Sequence, residues 1–285
     1  MKKPNKYFAY AKLNLQLRVI GLARDGFHLL DMVNVLISLH DDVTIDIRPE
    51  RRNEIFLSSS RNFFTHPQKN LLYKAWDWYT KKTGIPISAK VHLYKRIPIG
   101  SGMGGGSSDA ATLLRILNNL FQGMTEKELI QESVEIGSDV PYFLIGGLCR
   151  VTGKGENIQT LPENEELSHL HGVVCFPRKN VSTTKVYALY DENNKSFSQG
   201  LSDDFALFPT YNDLTPSASE IQPSISQCLS FVNSTKPAYY GMSGSGSACF
   251  GLYTCTKSSK NAMDFLLRKG YRVWLVETNQ KRNYP

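Results

Sequence analysis

The chain has 285 residues, 41% of them hydrophobic and 21% charged, an ordinary globular composition with enough apolar material for a sizeable core in one large domain or two intimate ones. The net charge of +7 is dispersed, with no arm-like basic run, which argues against a nucleic-acid-binding protein. The five cysteines are odd in number and lack CxxC spacing, so neither a disulfide framework nor a zinc site is expected. Cys249 and Cys255 read as buried reduced thiols in a reducing cytoplasm.

The opening residues, MKKPNKYFAYAKLNLQLRV, hold no apolar run of signal-peptide length, and no stretch approaches a membrane span of ~20 apolar residues. The chain therefore reads as soluble and cytosolic. Residues 7–19 alternate. Ala9, Ala11, Leu13, Leu15, Leu17 and Val19 fall on one face, and Tyr10, Lys12, Asn14, Gln16 and Arg18 on the other, which predicts a half-buried strand. Gly21 and Arg24-Asp25-Gly26 predict a turn, followed by β structure over 33–39 and 43–48. Residues 70–82 carry Leu71, Leu72, Ala75, Trp76 and Tyr79 at helical spacing, and Gly84 stops them. Ile87, Ala89, Val91, Leu93 and Lys95 alternate again.

A glycine-rich loop follows over 97–106, then a helix over 107–121. Thr125 with Glu128 forms a capping box that opens another helix, ending before Gly137. Farther on, 173–176, 248–253 and 273–277 read as strands and 223–232 and 260–269 as helices, while 191–222 reads as irregular. Strands and helices mix without a regular βαβ beat. The fold class is α+β, and two domains are expected, at 1–155 and 156–285.

The loop Ile97-Pro-Ile-Gly-Ser-Gly-Met-Gly-Gly-Gly-Ser-Ser108 is the most informative segment. Its glycines let the backbone approach a ligand closely. A strand enters it and an amphipathic helix leaves it. Loop amides and the first-turn N–H groups favour an anion there, and the Ser107 and Ser108 hydroxyls can cap the helix or bind phosphate or metal. No Gly-Lys-[Ser/Thr] follows, so it is not a Walker A loop.

This segment resembles the central phosphate-binding motif of the GHMP kinases. Ala11-Lys12-Leu13-Asn14-Leu15 and Gly241-Met-Ser-Gly-Ser-Gly-Ser-Ala-Cys249 resemble the family's two flanking motifs, in the same order. Arg24-Asp25-Gly26-Phe27-His28, Gly137-Ser138-Asp139-Val140-Pro141 and Gly153-Lys-Gly-Glu156 are similar to the branch that phosphorylates a cytidine-diphosphate-linked methylerythritol in the non-mevalonate isoprenoid pathway. The resemblance implies a two-domain α+β fold with its active site in the interdomain cleft, ATP and Mg²⁺ as cofactors, and a small-molecule acceptor. It implies no nucleic-acid or membrane partner, and it leaves the oligomeric state open.

By the same resemblance ATP is bound by Pro98, Ile99, Gly100, Ser101, Gly102, Met103, Gly104, Gly105, Gly106, Ser107 and Ser108. Lys12 and Asp139 are implied as the catalytic pair. On residues alone Ser138-Asp139 reads as a helix cap and Lys12 as a solvated strand lysine. Alternation puts Lys12 and Asn14 on one face, and Pro141 is expected to hold Val140 extended. On the substrate side the resemblance implies Asn14, Phe27, His28 and Tyr187, with Phe27 and Tyr187 sandwiching cytosine; as plain residues the aromatics read as core packing. Phe27 stands where the branch typically has tyrosine, and Leu29 replaces a glutamate. No metal ligand is assigned, although Ser107 or Ser108 can contribute. A homoserine- or mevalonate-type kinase and a non-catalytic ligand sensor of the same fold are the alternatives.

Overall fold

The computed structural model describes residues 5–49, 52–60, 67–194, 196–202 and 209–281. The first strand, β1 (Asn5–Leu22), pairs antiparallel along its length with β2 (His28–Pro49). The alternation from Ala9 to Val19 thus becomes a strand, with one difference from its expected single stripe. Ala11, Leu13 and Leu15 enter one buried cluster while Ala9, Leu17 and Val19 enter another. Register shifts at Tyr10/Ala11 and Asn14/Gln16 divide the stripe, because an unpaired extra residue bends and twists a strand. Both faces of β1 are covered, so Lys12, Asn14 and Gln16 are also buried.

Next come β3 (Glu54–Ser59), helix α1 (Leu71–Thr83) and β4 (Ile87–Tyr94), with β4 pairing to both β2 and β3. Asn70 caps α1 through its side chain and Gly84 closes it. Helix α2 (Gly105–Phe121) leaves the glycine loop. Its stripe of Ala110, Leu113, Leu114 and Leu117 is fully buried in the larger core cluster with α1. The Thr125–Glu128 capping box opens α3 (Glu126–Glu132).

Helix α4 (Val140–Ile145) begins at Val140, so that residue is helical and not extended. Pro141 lies in the first turn, where its missing N–H has no intrahelical partner to lose. Strands β5 (Cys149–Gly153) and β6 (Asn157–Thr160) form a hairpin whose β5 pairs with β2.

The second half adds α5 (Glu165–Ser168), β7 (His171–Phe176), α6 (Thr183–Asn193), β8 (Tyr211–Asn212), α7 (Thr215–Ile221), α8 (Ser224–Ser234), β9 (Tyr239–Met242), β10 (Cys249–Tyr253), α9 (Thr256–Arg268) and β11 (Arg272–Asn279). The segment expected to be irregular contains the end of α6 and all of α7. Among the described residues the strand order is β3-β4-β2-β11-β7-β10-β9, and β11 pairs with both β2 and β7. The last strand therefore joins the first half of the chain to the second. Beneath the glycine loop, Ile97 and Met103 share a buried cluster with Leu13, Val35, Val174 and Phe250, drawn from both halves.

All five cysteines are free; Cys249 is buried as expected, but Cys255 is exposed at the N-cap of α9. It lies two residues past the end of β10, outside the pleat that covers Cys249. No described helix is long and apolar enough to cross a membrane.

Candidate active site

The glycine loop is anchored at several points. Asp41 on β2 accepts from the backbone N–H groups of Arg96 (2.6 Å) and Ile97 (2.9 Å), where β4 turns into the loop. Lys12 N donates to Met103 O at 3.1 Å, and Ala248 N donates to Ser101 O at 3.0 Å. The Met103 side chain is fully buried, so it anchors the loop and faces no ligand. Ser243 Oγ donates to Gly102 O at 3.0 Å. The turn between β9 and β10 is therefore docked on the loop, and the three glycine- or lysine-bearing motifs meet at one place.

Gly104 is the N-cap of α2 and offers no side chain to satisfy the first turn. The N–H groups of Gly105, Gly106 and Ser107 have no carbonyl behind them in the helix. With the helix dipole they make a cradle for an anion. They open on a cavity of about 650 Å³ lined by the loop from Pro98 to Gly102, by Gly104 to Ser107, and by Asn70, Lys95 and Asp109. Ser107 reaches this cavity; Ser108 is buried behind it.

Under the same wall lies a buried charge cluster that the sequence does not signal. Lys95 Nζ bonds both Asp41 and Asp109, the latter at 2.8 Å. One Asp109 oxygen, Oδ1, is buried with no hydrogen-bond partner. Burial pushes the Asp109 carboxyl up to about 7, with Lys95 opposing the shift and Asp41 adding to it.

A second cavity of about 300 Å³ adjoins the first and shares Gly100, Gly102, Gly104 and Thr183 with it. Lys12, Asp139, Lys154 and Tyr187 line it, with Gly244, Ser245 and Gly246 from the docked turn. The Lys12 ammonium is 3% exposed; it donates to Asn14 Oδ1 at 2.8 Å and stands 3.6 Å from Asp139 Oδ1. Asn14 Nδ2 in turn donates to Asn34 Oδ1 at 2.6 Å, and Asn14 Oδ1 accepts from Gly244 N at 2.8 Å. Lys12 is thus neither solvated nor free to move.

Asp139 occupies the N-cap position of α4, but its side chain makes no cap hydrogen bond. Its carboxylate is one-third exposed and faces the cavity, where it is available to a ligand hydroxyl. A buried lysine, a carboxylate and an anion cradle that share one seam are the parts phosphoryl transfer uses for positioning and charge stabilisation.

The aromatic residues are placed differently from one another. Tyr187 stacks on His28, with ring centroids 4.4 Å apart and planes at 27°. His28 Nε2 donates to Asp191 Oδ1 at 2.7 Å. Burial, with Asp139 nearby, pushes the Tyr187 phenol above its ordinary range. Phe27 is 61% exposed, with the Lys154 ammonium 5.5 Å from its ring centroid. Lys95, Lys154, Thr183 and the Gly244–Gly246 backbone are lining groups that the sequence did not single out as site residues. Among the described residues no group of three or more His, Cys, Asp or Glu side chains could hold a metal ion.

Residues 70–147 match the family model described as the GHMP kinases N terminal domain. The chain is 34% identical to the 4-diphosphocytidyl-2-C-methyl-D-erythritol kinase of Protochlamydia amoebophila, over 94% of this chain and 92% of that protein. It is 36% identical to the chloroplastic 4-diphosphocytidyl-2-C-methyl-D-erythritol kinase of Arabidopsis thaliana, over 87% of this chain and 67% of that protein. A crystal structure of 4-(cytidine 5'-diphospho)-2C-methyl-D-erythritol kinase superposes with a TM-score of 0.79 at 29% identity, covering 96% of this chain and 99% of that one. A homoserine kinase from Cytophaga hutchinsonii, at 16% identity and a TM-score of 0.67 over 99% of this chain and 96% of that one, shares the fold.

Proposed function

The chain belongs to the GHMP kinases and, within them, to the 4-diphosphocytidyl-2-C-methyl-D-erythritol kinases, and we propose that its two adjoining cavities hold ATP and the cytidine-diphosphate acceptor. The enzyme phosphorylates that acceptor at the expense of ATP, a step of isoprenoid precursor synthesis by the non-mevalonate route. The observation that carries the site assignment is the uncapped Asp139 carboxylate, 3.6 Å from a buried lysine at the seam of the two cavities.

In this reading the 650 Å³ cavity takes ATP, with its phosphates on the amides of Gly104 to Ser107. Asp139 orients the 2-hydroxyl of the methylerythritol unit and accepts its proton as the hydroxyl oxygen bonds to the γ-phosphorus. The bond from that phosphorus to the β–γ bridging oxygen breaks, and ADP leaves. Lys12 holds Asp139 in place and faces the charge that develops on the transferring group. Asn14 fixes Lys12 through its 2.8 Å bond. Mg²⁺ carried by the triphosphate would neutralise its charge; such an ion needs only one or two protein oxygens, and the Ser107 hydroxyl at the cavity wall fits that need. Cytosine is assigned to Phe27, His28 and Tyr187.

The domain divide is placed at 155/156, which makes the acceptor cavity interdomain. Lys12 and Asp139 come from the first part and Thr183, Tyr187 and Gly244 to Gly246 from the second. Five free thiols support a reducing compartment such as the cytoplasm. Phosphorus NMR of a reaction with ATP and the diphosphocytidyl acceptor tests the assignment. A new phosphomonoester signal should grow with ADP; ADP release without it would contradict transfer to this acceptor.

A further inference from the structure

Asn14 holds Lys12, and the turn between β9 and β10 holds Asn14 through the Gly244 N–H, at 2.8 Å for each bond. The turn itself is gripped by Asn212. Asn212 Nδ2 donates to Met242 O at 2.9 Å and to Gly244 O at 2.8 Å. Those carbonyls flank the Ser243–Gly244 peptide, so one side chain brackets the peptide whose N–H faces Asn14. Both amide donors are used, and Asn212 Oδ1 accepts from Leu214 N at 2.9 Å. A flipped amide would set its oxygen against two carbonyls, which fixes the orientation. Asn212 lies on β8, which pairs with β1 at Gln16 and Leu17. Val19 N donates to Asp213 Oδ2 at 2.7 Å and fastens β8 to the same strand. The turn also abuts the glycine loop, since a Cβ on Gly244 would lie 2.8 Å from Gly102 O.

We propose that Asn212 is a positioning residue for phosphoryl transfer, acting on Lys12 through the Gly244 N–H and the Asn14 side chain. The inference rests on Lys12 and Asp139 being the catalytic pair. Asn212 lines neither the nucleotide nor the acceptor cavity as described; it lines a separate cavity of about 730 Å³. Its effect therefore travels through hydrogen bonds. Lys12 and Asn14 share β1, yet a strand backbone alone leaves the long lysine side chain several rotamers. The Asn14 oxygen selects one of them, and Gly244 N in turn selects the Asn14 amide orientation. Loss of the Asn212 donors frees the turn, and the ammonium loses its fixed distance from the Asp139 carboxylate. Displacement of a catalytic group by about 1 Å can cost 10²-fold in rate.

A double-mutant cycle on the full chain tests this, with steady-state kinetics on ATP and the diphosphocytidyl acceptor and a melting curve for each variant. Asn212→Asp keeps the acceptor for Leu214 N and replaces the two donors by an oxygen facing two carbonyls. Its kcat should fall by roughly 10- to 100-fold, with a smaller change in either KM. Asn14→Ala should lower kcat as well. The double variant should turn over about as slowly as Asn14→Ala alone, because the second change cuts a chain already broken. If Asn212→Asp does not fold, Asn212→Ala, which introduces no charge, is read in the same way. A normal kcat in a folded Asn212 variant would overturn the proposal. So would losses that multiply in the double variant, since they would show that Asn212 only braces the turn. Near-normal turnover in Lys12→Met would instead bring down the catalytic pair, and this proposal with it.

Discussion

Gly102 of the glycine-rich loop and Ser243 of the β9–β10 turn touch backbone to backbone. A Cβ on Gly102 would lie 2.0 Å from Ser243 O, and Ser243 Oγ donates to Gly102 O at 3.0 Å. The two residues are 141 positions apart. Gly102 lines both of the adjoining cavities, so the contact lies at their shared wall.

Gly102→Ala should therefore damage both fold and function. The residue has φ +78°, which costs an L-residue roughly 1–2 kcal/mol, and the added carbon meets backbone that cannot step aside. A stability loss above ~2 kcal/mol, with weakened ATP binding, is expected from melting curves and calorimetry. Gly106→Ala is the control: its Cβ would meet Leu71 at an ordinary 3.5 Å, and its melting temperature should hold. Equal behaviour of the two variants would contradict the docking of loop on turn.

Asp139→Asn and Lys12→Met should each lower kcat by about 10²- to 10⁴-fold. Asp139 makes no cap bond, so its replacement should leave the melting temperature close to wild type. Calorimetric ATP affinity should survive in Asp139→Asn. Near-normal turnover in either variant would remove the pair from catalysis.

The Asp41–Lys95–Asp109 cluster gives a pH signature. The Asp109 carboxyl is pushed up to about 7 in the folded chain, from an ordinary 3.8. Between those values the folded state binds more protons than the unfolded one, so this group's contribution to stability is full below about pH 4 and falls as pH rises towards 7. Asp109→Asn removes that contribution. Melting curves from pH 4 to pH 8 should show wild type losing ground to Asp109→Asn across the interval and running level with it above. Parallel curves would contradict the placement of two carboxylates on one lysine.

The glycine-rich loop, its flanking strand and helix, and the nearness of Lys12 to Asn14 were legible because they rest on local periodicity and glycine chemistry. Residues i and i+2 of a strand share a face, and those two are bonded at 2.8 Å. Asp139 was different. Its residues spell a cap, and only the family motif pointed to catalysis, because the Lys12 contact spans the chain. The division of the β1 stripe was missed because strand register is set by the partner and its bulges. Helices α6 and α7 were missed because one is weakly amphipathic and the other is seven residues long. The cap on α6 was present in Ser182, whose hydroxyl accepts from Lys185 N. The exposed Cys255 shows that apolar neighbours in sequence do not ensure burial.

Tyr187→Ala should raise acceptor KM by roughly one to two decades, since base stacking is worth ~1–3 kcal/mol. Tyr187→Phe should keep the stack and most of the affinity. His28→Ala should narrow the preference for the cytidine acceptor over its uridine analogue, because stacking alone does not distinguish the bases. ATP KM should barely move in any of them. Parallel rises in both KM values, with a lowered melting temperature, would show that these rings only pack the core against Asp191 and α6.

The most direct test of the central claim is coupled ADP release measured side by side with 4-diphosphocytidyl-2-C-methyl-D-erythritol, homoserine and mevalonate. The expected result is ATP-dependent turnover with the diphosphocytidyl acceptor, at a kcat/KM orders of magnitude above the other two, abolished in Asp139→Asn. Comparable or greater kcat/KM with homoserine or mevalonate, or no turnover with the diphosphocytidyl compound, would contradict it.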